Sequence, residues 1–366
     1  MRGAGFFAND YAQARETFLR AAYRAGAATR EFAHPSRGPD GGALATDVAW
    51  VGRHDAEDVV VVISGTHGVE GFCGSGIQVG WLDALHRSGP IGSAASLLIH
   101  AINPYGFAWL RRVTQEGVDL NRNFVDPQRP APENPLYDEV ADALVPPSLT
   151  GEIGKAADEQ LAAVRQRVGE LTFARTIAGG QYRHSRGLFY GGGGPTWSNV
   201  TTHQIIGDFL AGRTRVVVLD LHTGLGPYGY GELLINHAAD SAGAERALAF
   251  WGESVATSLT GQTIPFVTDG PTHYGYNRAL AHTEITFATV EFGTFDRATG
   301  RQALRADHWL HAYGDPLGPE AGPIRAAMRR QFFPDTADWK EAVLFRGRQV
   351  IRMAAAGLAG ARAERA

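Results

Sequence analysis

Residues 58–71 read DVVVVISGTHGVEG. The aliphatic run reads as a strand, and it ends in a turn where Gly65, Gly68 and Gly71 let the backbone bend sharply. Residues from Phe72 to His86 then have the pattern of a helix, and SLLIHAINP (96–104) that of the next strand. Strand, loop, helix, strand is the unit from which parallel sheets are built. The expected class is therefore α/β. Working backwards, TDVAWVG (46–52) is another strand. It follows a Pro/Gly-containing loop, HPSRGPDGG (34–42), and a first helix whose apolar positions are Tyr11, Ala14, Phe18 and Ala21.

Working forwards, the segment from about 127 to 194 holds a Pro-rich loop, a polar helical stretch around Gly154 to Ile177, and GQYRHSRGLFYGGGGP (180–195). It has few apolar positions for a core of its own. It therefore reads as an insertion carried by a single domain spanning residues 1–366. RTRVVVLDLHTG (213–224) is a buried strand ending in His222, GELLINH (231–237) is strand-like, and Ser241 to Leu259 reads as a helix. ITFATVEFG (285–293) is a late strand ending at Glu291, and the chain after Arg305 is mainly helical.

Composition narrows the function classes. The chain is 44% hydrophobic and 20% charged, ordinary for a globular protein with a sizeable core. Its formal net charge is -4 with basic residues scattered, which lacks the electrostatic footprint of a nucleic-acid binder. The 1 cysteine, Cys73, rules out an intrachain disulfide or a Cys-rich metal site, and burial is its expected role. The N-terminal segment lacks the apolar run of a signal peptide, and no stretch approaches a membrane span. The expected compartment is the cytoplasm.

Hydrolytic zinc takes three N/O ligands and keeps a position for water. THGVEG offers His67 and Glu70 on a tight turn after a strand, and DLHTG (220–224) offers His222 at the end of another. Strand ends are where ligands collect in α/β sheets. A His and a Glu three apart carry little alone; their joint placement in glycine-rich turns carries the argument.

Taken in order, THGVEG, NPYGF (103–107), RRVTQEGVDLNRNF (111–124), DLHTG and VEFGT (290–294) resemble the zinc carboxypeptidase (M14) superfamily. GQYRHSRGLFYGG (180–192) resembles a bacterial branch of it, DUF2817. The likeness spans nearly the whole chain. It implies a three-layer α/β/α fold with a mixed, mostly parallel sheet of about eight strands, and one Zn2+ ion held by His67, Glu70 and His222. It also implies Glu291 as general base, Arg112 as oxyanion stabiliser with Arg111 as the alternative should the register slip, and Asn121 and Arg122 gripping a substrate carboxylate. The family's mobile tyrosine has two counterparts in the loop DGPTHYGYNRAL (269–280), Tyr274 and Tyr276, and spacing does not choose between them.

The implied activity is hydrolysis of an amide next to a free carboxylate, on a small peptide or an N-acyl amino acid. A carboxypeptidase and an aspartoacylase-like deacylase both fit; a catalytically inactive binding protein with the same fold is the alternative of another class. The insertion and the loop 268–278 are expected to set specificity. Gly224, Gly226 and Gly229 have dinucleotide-binding spacing, but a strand rather than a helix is expected to follow. The run Gly191 to Gly194 lacks a following Lys-Ser/Thr and reads as a flexible loop near the cleft. No GxSxG elbow is present.

Overall fold

The computed structural model describes residues 3–235, 237–257 and 268–363. Eight strands form one sheet: β1 (Ala28–Arg37), β2 (Ala43–Val51), β3 (Asp58–Ser64), β4 (Ala95–His100), β5 (Arg215–Tyr228), β6 (Gly231–Ile235), β7 (Val255–Thr257) and β8 (Glu284–Gly293), in the order β1-β2-β4-β3-β5-β8-β6-β7. The four central strands, β4, β3, β5 and β8, run parallel; β1, β2 and β6 join antiparallel to their inner neighbours, and β7 parallel to β6. This is the expected mixed sheet.

Alternation along the central strands builds two cores. Val60, Val62, Leu98, Val217 and Leu219 face helices Tyr11–Arg24, Gly71–Ser88, Ala242–Trp251 and Ala337–Ala363. Val59, Val61, Ile63, Leu97, Ile99, Val216 and Val218 face helices Trp197–Ile205 and Thr272–Ala279. Helix Gly71–Ser88 is buried nearly all round, because the sheet, the first helix and the last helix enclose it. Its glycines allow that approach: a Cβ on Gly80 would strike Leu344, and one on Gly347 of the last helix would strike Ile77. A third cluster joins Tyr137, Leu144, Leu161, Phe173 and Ile177 of the 127–194 segment to Leu304, Met328 and Phe332 of helices Arg297–Ala312 and Ala321–Phe332. The segment thus shares its apolar side with the C-terminal helices.

Several boundaries differ from the sequence reading. The supposed loop 34–42 is partly strand: β1 runs to Arg37 with Pro35 inside it, tolerated because β1 is an edge strand that pairs on one side only. The strand expected to end at His222 continues to Tyr228, and the late strand continues past Glu291 to Gly293. The polar helical stretch is two helices, Gly151–Val168 and Glu170–Ala178, parted at Gly169 with φ +84. The helix begun at Ser241 stops at Trp251, where Gly252 takes φ +63 and leads into β7; residues 258–259 lie outside the described ones. Gly224 and Gly226 sit inside β5 and β6 follows, so no dinucleotide-binding helix is formed there. Among the described residues no helix is long and apolar enough to cross a membrane.

Candidate active site

His67 and Glu70 leave the C-terminal end of β3 on the turn that starts helix Gly71–Ser88. That turn is held by the next unit along the chain: Gly68 and Val69 N–H groups donate to the carbonyls of Arg112 and Arg111 at 3.2 and 2.8 Å. Gly68 itself sits against Gly106 so closely that a Cβ there would overlap the backbone of Gly106 and Phe107. His222 lies on the neighbouring strand β5, and Glu291 is its register partner on β8. Two adjacent parallel strands thereby bring a histidine and a carboxylate side by side without any loop being involved.

The geometry fits a metal ion. His67 Nδ1 lies 3.0 Å from His222 Nδ1 and 3.1 Å from Glu70 Oε1, while His222 Nδ1 lies 3.4 Å from Glu70 Oε2. A tetrahedral ion with ligand bonds of about 2.0–2.1 Å separates its ligands by about 3.3 Å. The outer ring nitrogens face carboxylates: His67 Nε2 is 3.1 Å from Asp119 Oδ1, and His222 Nε2 is 2.9 Å from Asp220 Oδ2. With a carboxylate beside each Nε2, both Nδ1 atoms turn toward each other and the Glu70 carboxylate, and as neutral rings they would offer Nδ1 lone pairs to an ion. Two ring nitrogens and an anion converging in a buried space could hold a metal ion.

Charge is balanced around that space. Burial opposes ionisation of Glu70, yet His67, His222 and Arg112 outweigh it and hold the carboxyl below the usual range. Burial likewise opposes the charge on Asp119, and Arg112, His67 and Arg122 outweigh it. His222 is raised above the ordinary histidine value, because Asp220 and Glu70 overcome its burial. Glu291 behaves differently: burial pushes it up to about 7, Glu70 adds to the rise, and His222 and His67 oppose it. Its Oε1 accepts from the Leu225 N–H at 3.1 Å.

Arg112 donates Nε to Asp119 at 3.0 Å and Nη1 to Glu70 at 3.2 Å, and its guanidinium covers the Phe189 ring. Arg111 points elsewhere and pairs with buried Asp307 at 3.0 Å, a structural bridge. Arg122 is buried, donating to the carbonyls of Asn121 at 2.7 Å and Ala178 at 2.6 Å, with Nε left without a partner. Asn121 Oδ1 accepts from Thr272 N–H at 2.9 Å. His67, Glu70, Arg112, Asn121, Arg122, His222 and Glu291 all line one cavity of about 260 Å³.

The two tyrosines are absent from that lining. The segment expected to be a loop is the helix Thr272–Ala279. Tyr276 is buried on its sheet-facing side against Phe287, ring centroids 5.7 Å apart, while Tyr274 is exposed. His273, just before Tyr274, does reach the cavity. The glycines 191–194 are tied down, Asn123 Nδ2 donating to the carbonyls of Gly191 and Gly194 at 2.7 and 2.9 Å. Cys73 is buried as expected.

Three contributors escaped the sequence reading. Asp220 precedes His222 by two residues on a strand, hence on the same face, a spacing that marks it as a partner. Asp119 opens the DLNR segment and caps its short helical turn by accepting from Asn121 N–H at 3.0 Å. Arg301, also in the lining, shows no signal beyond an arginine four residues after Arg297.

The fold and this site define an α/β/α protein with a buried His–Glu–His cluster at the strand ends, set in a cavity. Residues 7–346 match the family described as "Protein of unknown function (DUF2817)", and the chain belongs to that family. No curated protein matches the chain. Among solved structures it is similar to the succinylglutamate desuccinylase of Chromobacterium violaceum, at 15% identity and a TM-score of 0.38, covering 87% of this chain and 74% of that one. It is also similar to carboxypeptidase A from Helicoverpa armigera, at 14% identity and a TM-score of 0.45, over 93% of this chain and 73% of that one. A third similarity is to bovine thrombin-activatable fibrinolysis inhibitor, at 10% identity and a TM-score of 0.46, over 95% and 97%.

Proposed function

We propose that the protein is a zinc-dependent hydrolase that cleaves an amide bond next to a free carboxylate. The observation that carries this reading is the pairing of His222 with Glu291 across β5 and β8, beside the converging Nδ1 atoms of His67 and His222. A divalent ion held by His67, Glu70 and His222 would supply Lewis acidity and a water of lowered pKa. Glu291 accepts a proton from the attacking water and passes it to the leaving amine nitrogen. Arg112 keeps N–H donors beyond those given to Asp119 and Glu70, and these meet the negative charge that develops on the carbonyl oxygen. Arg122, with Asn121 beside it, holds the carboxylate of the amine-side residue. Its buried Nε without a partner is a donor that a carboxylate would satisfy.

The test is hydrolysis of a mixed panel of small peptides and N-acyl amino acids by zinc-loaded protein, alongside Glu291→Gln. Native protein is expected to cleave members with a carboxylate next to the scissile amide, and Glu291→Gln to lose at least about a hundredfold in kcat while keeping its zinc. Cleavage confined to internal bonds far from any carboxylate would remove the role given to Arg122. Undiminished activity in Glu291→Gln would overturn the mechanism. Zinc binding with no turnover of any member would favour a binding protein.

A further inference from the structure

Helix Glu170–Ala178 of the 127–194 segment turns Ala174, Ile177 and Ala178 into the cavity, and an arginine stands at each end of that apolar face. At the C-terminal end, Arg122 donates to the Ala178 carbonyl. Towards the other end, the Arg301 guanidinium lies over the Phe173 ring, 5.6 Å from its centroid. Phe173 and Ala178 are five residues apart, about 7.5 Å along the helix axis at about 1.5 Å per residue. Both arginines line the cavity.

Arg301 enters from helix Arg297–Ala312 and is half-buried. Among the described residues no carboxylate stands within ion-pair distance of it, and Glu170, at the start of the facing helix, pairs with Arg165 at 3.7 Å. Apart from Glu70 and Glu291, the described lining holds no carboxylate. It does hold Arg112, Arg122, Arg297 and Arg301, in a chain whose net charge is -4. A partly desolvated cation whose counter-charge, Glu170, lies beyond ion-pair distance is costly unless something bound supplies a closer one.

We propose that Arg301 reads a second anion, so that the substrate is an amide carrying a carboxylate on each side of the scissile bond. The amine-side carboxylate sits at Arg122, the acyl-side carboxylate at Arg301, and the Ala174–Ile177 face covers the chain between them. The substrate class is an amino acid acylated by a dicarboxylic acid, or a peptide with an acidic residue ahead of the bond. The assignment of sides rests on the hydrolase reading above; the presence of two anion-binding ends does not.

Calorimetric titration of the zinc-loaded protein with α,ω-dicarboxylates from succinate to suberate, each against the monocarboxylate of equal length, measures the two ends independently of turnover. The best diacid is expected to bind at least about tenfold tighter than its monoacid, as a charge-assisted hydrogen bond provides. That ratio should approach unity in Arg301→Gln and partly return in Arg301→Lys. A ratio near unity in the native protein, or one unchanged by Arg301→Gln, overturns the proposal. Turnover separates the two readings. Diacid preference without hydrolysis of any amide defeats only the hydrolase reading. Hydrolysis of plain N-acyl amino acids as fast as of their ω-carboxy analogues defeats only this one.

Discussion

Asp220 shows how much of the candidate metal centre lies one bond beyond its ligands. It accepts from Thr66 Oγ1 at 2.7 Å and stands 2.9 Å from His222 Nε2, a held negative charge beside the ring. Asp220→Asn keeps the shape and removes the charge. Zinc affinity, measured by competition with a chromophoric chelator, is expected to fall about 10- to 100-fold; an unchanged affinity would mean that the ring is held by packing alone. At this scale the sequence was legible where backbone chemistry announces itself. Glycine-rich turns after aliphatic strands point to His67, Glu70 and His222. It was illegible where burial decides: nothing in DGPTHYGYNRAL says that Tyr276 faces Phe287 in the core while His273, three residues earlier, reaches the cavity.

The elements repeat the same contrast. Strands β3, β4 and β8 are aliphatic runs that could be read directly, because central parallel strands are covered on both faces. β1 could not, since its pattern is mostly exposed and interrupted by Pro35, and its strand character comes only from pairing with β2. Most informative is the seating of the ligand turn on helix Pro104–Trp109, where Gly68 and Gly106 touch backbone to backbone. Gly68→Ala forces the turn off that helix and breaks the bonds to the carbonyls of Arg111 and Arg112. The expected loss is about 1–3 kcal/mol in urea denaturation, typical of overpacking, together with weaker zinc binding. Gly322→Ala, where a Cβ meets nothing within 4 Å, is the control expected to leave both unchanged or slightly improved. Equal behaviour of the two variants would show that the contact at Gly68 has slack.

For the molecule as a whole, the sheet interior that places these residues also contains a histidine that burial keeps neutral well below the usual pH. His100, at the end of β4, is buried, stacks on Phe18 with ring centroids 4.5 Å apart, and meets Ser75 Oγ at 2.9 Å. Burial pushes its pKa down to about 3, with Arg15 adding to the effect. The unfolded chain keeps the ordinary value of about 6.5. The folded value is the lower one, so below about pH 6.5 the unfolded state takes up a proton that the folded state refuses. The stability linked to His100 is whole above that pH and declines until about pH 3. Between pH 7 and pH 5 the loss from this one group is about 2 kcal/mol. Urea unfolding of the metal-free protein at both pH values should show the native chain losing about that much more than His100→Gln, whatever the variant's stability at pH 7. Parallel losses in the two proteins would place the acid sensitivity elsewhere, with His273 and His308, each buried and pushed down to about 4, next in line.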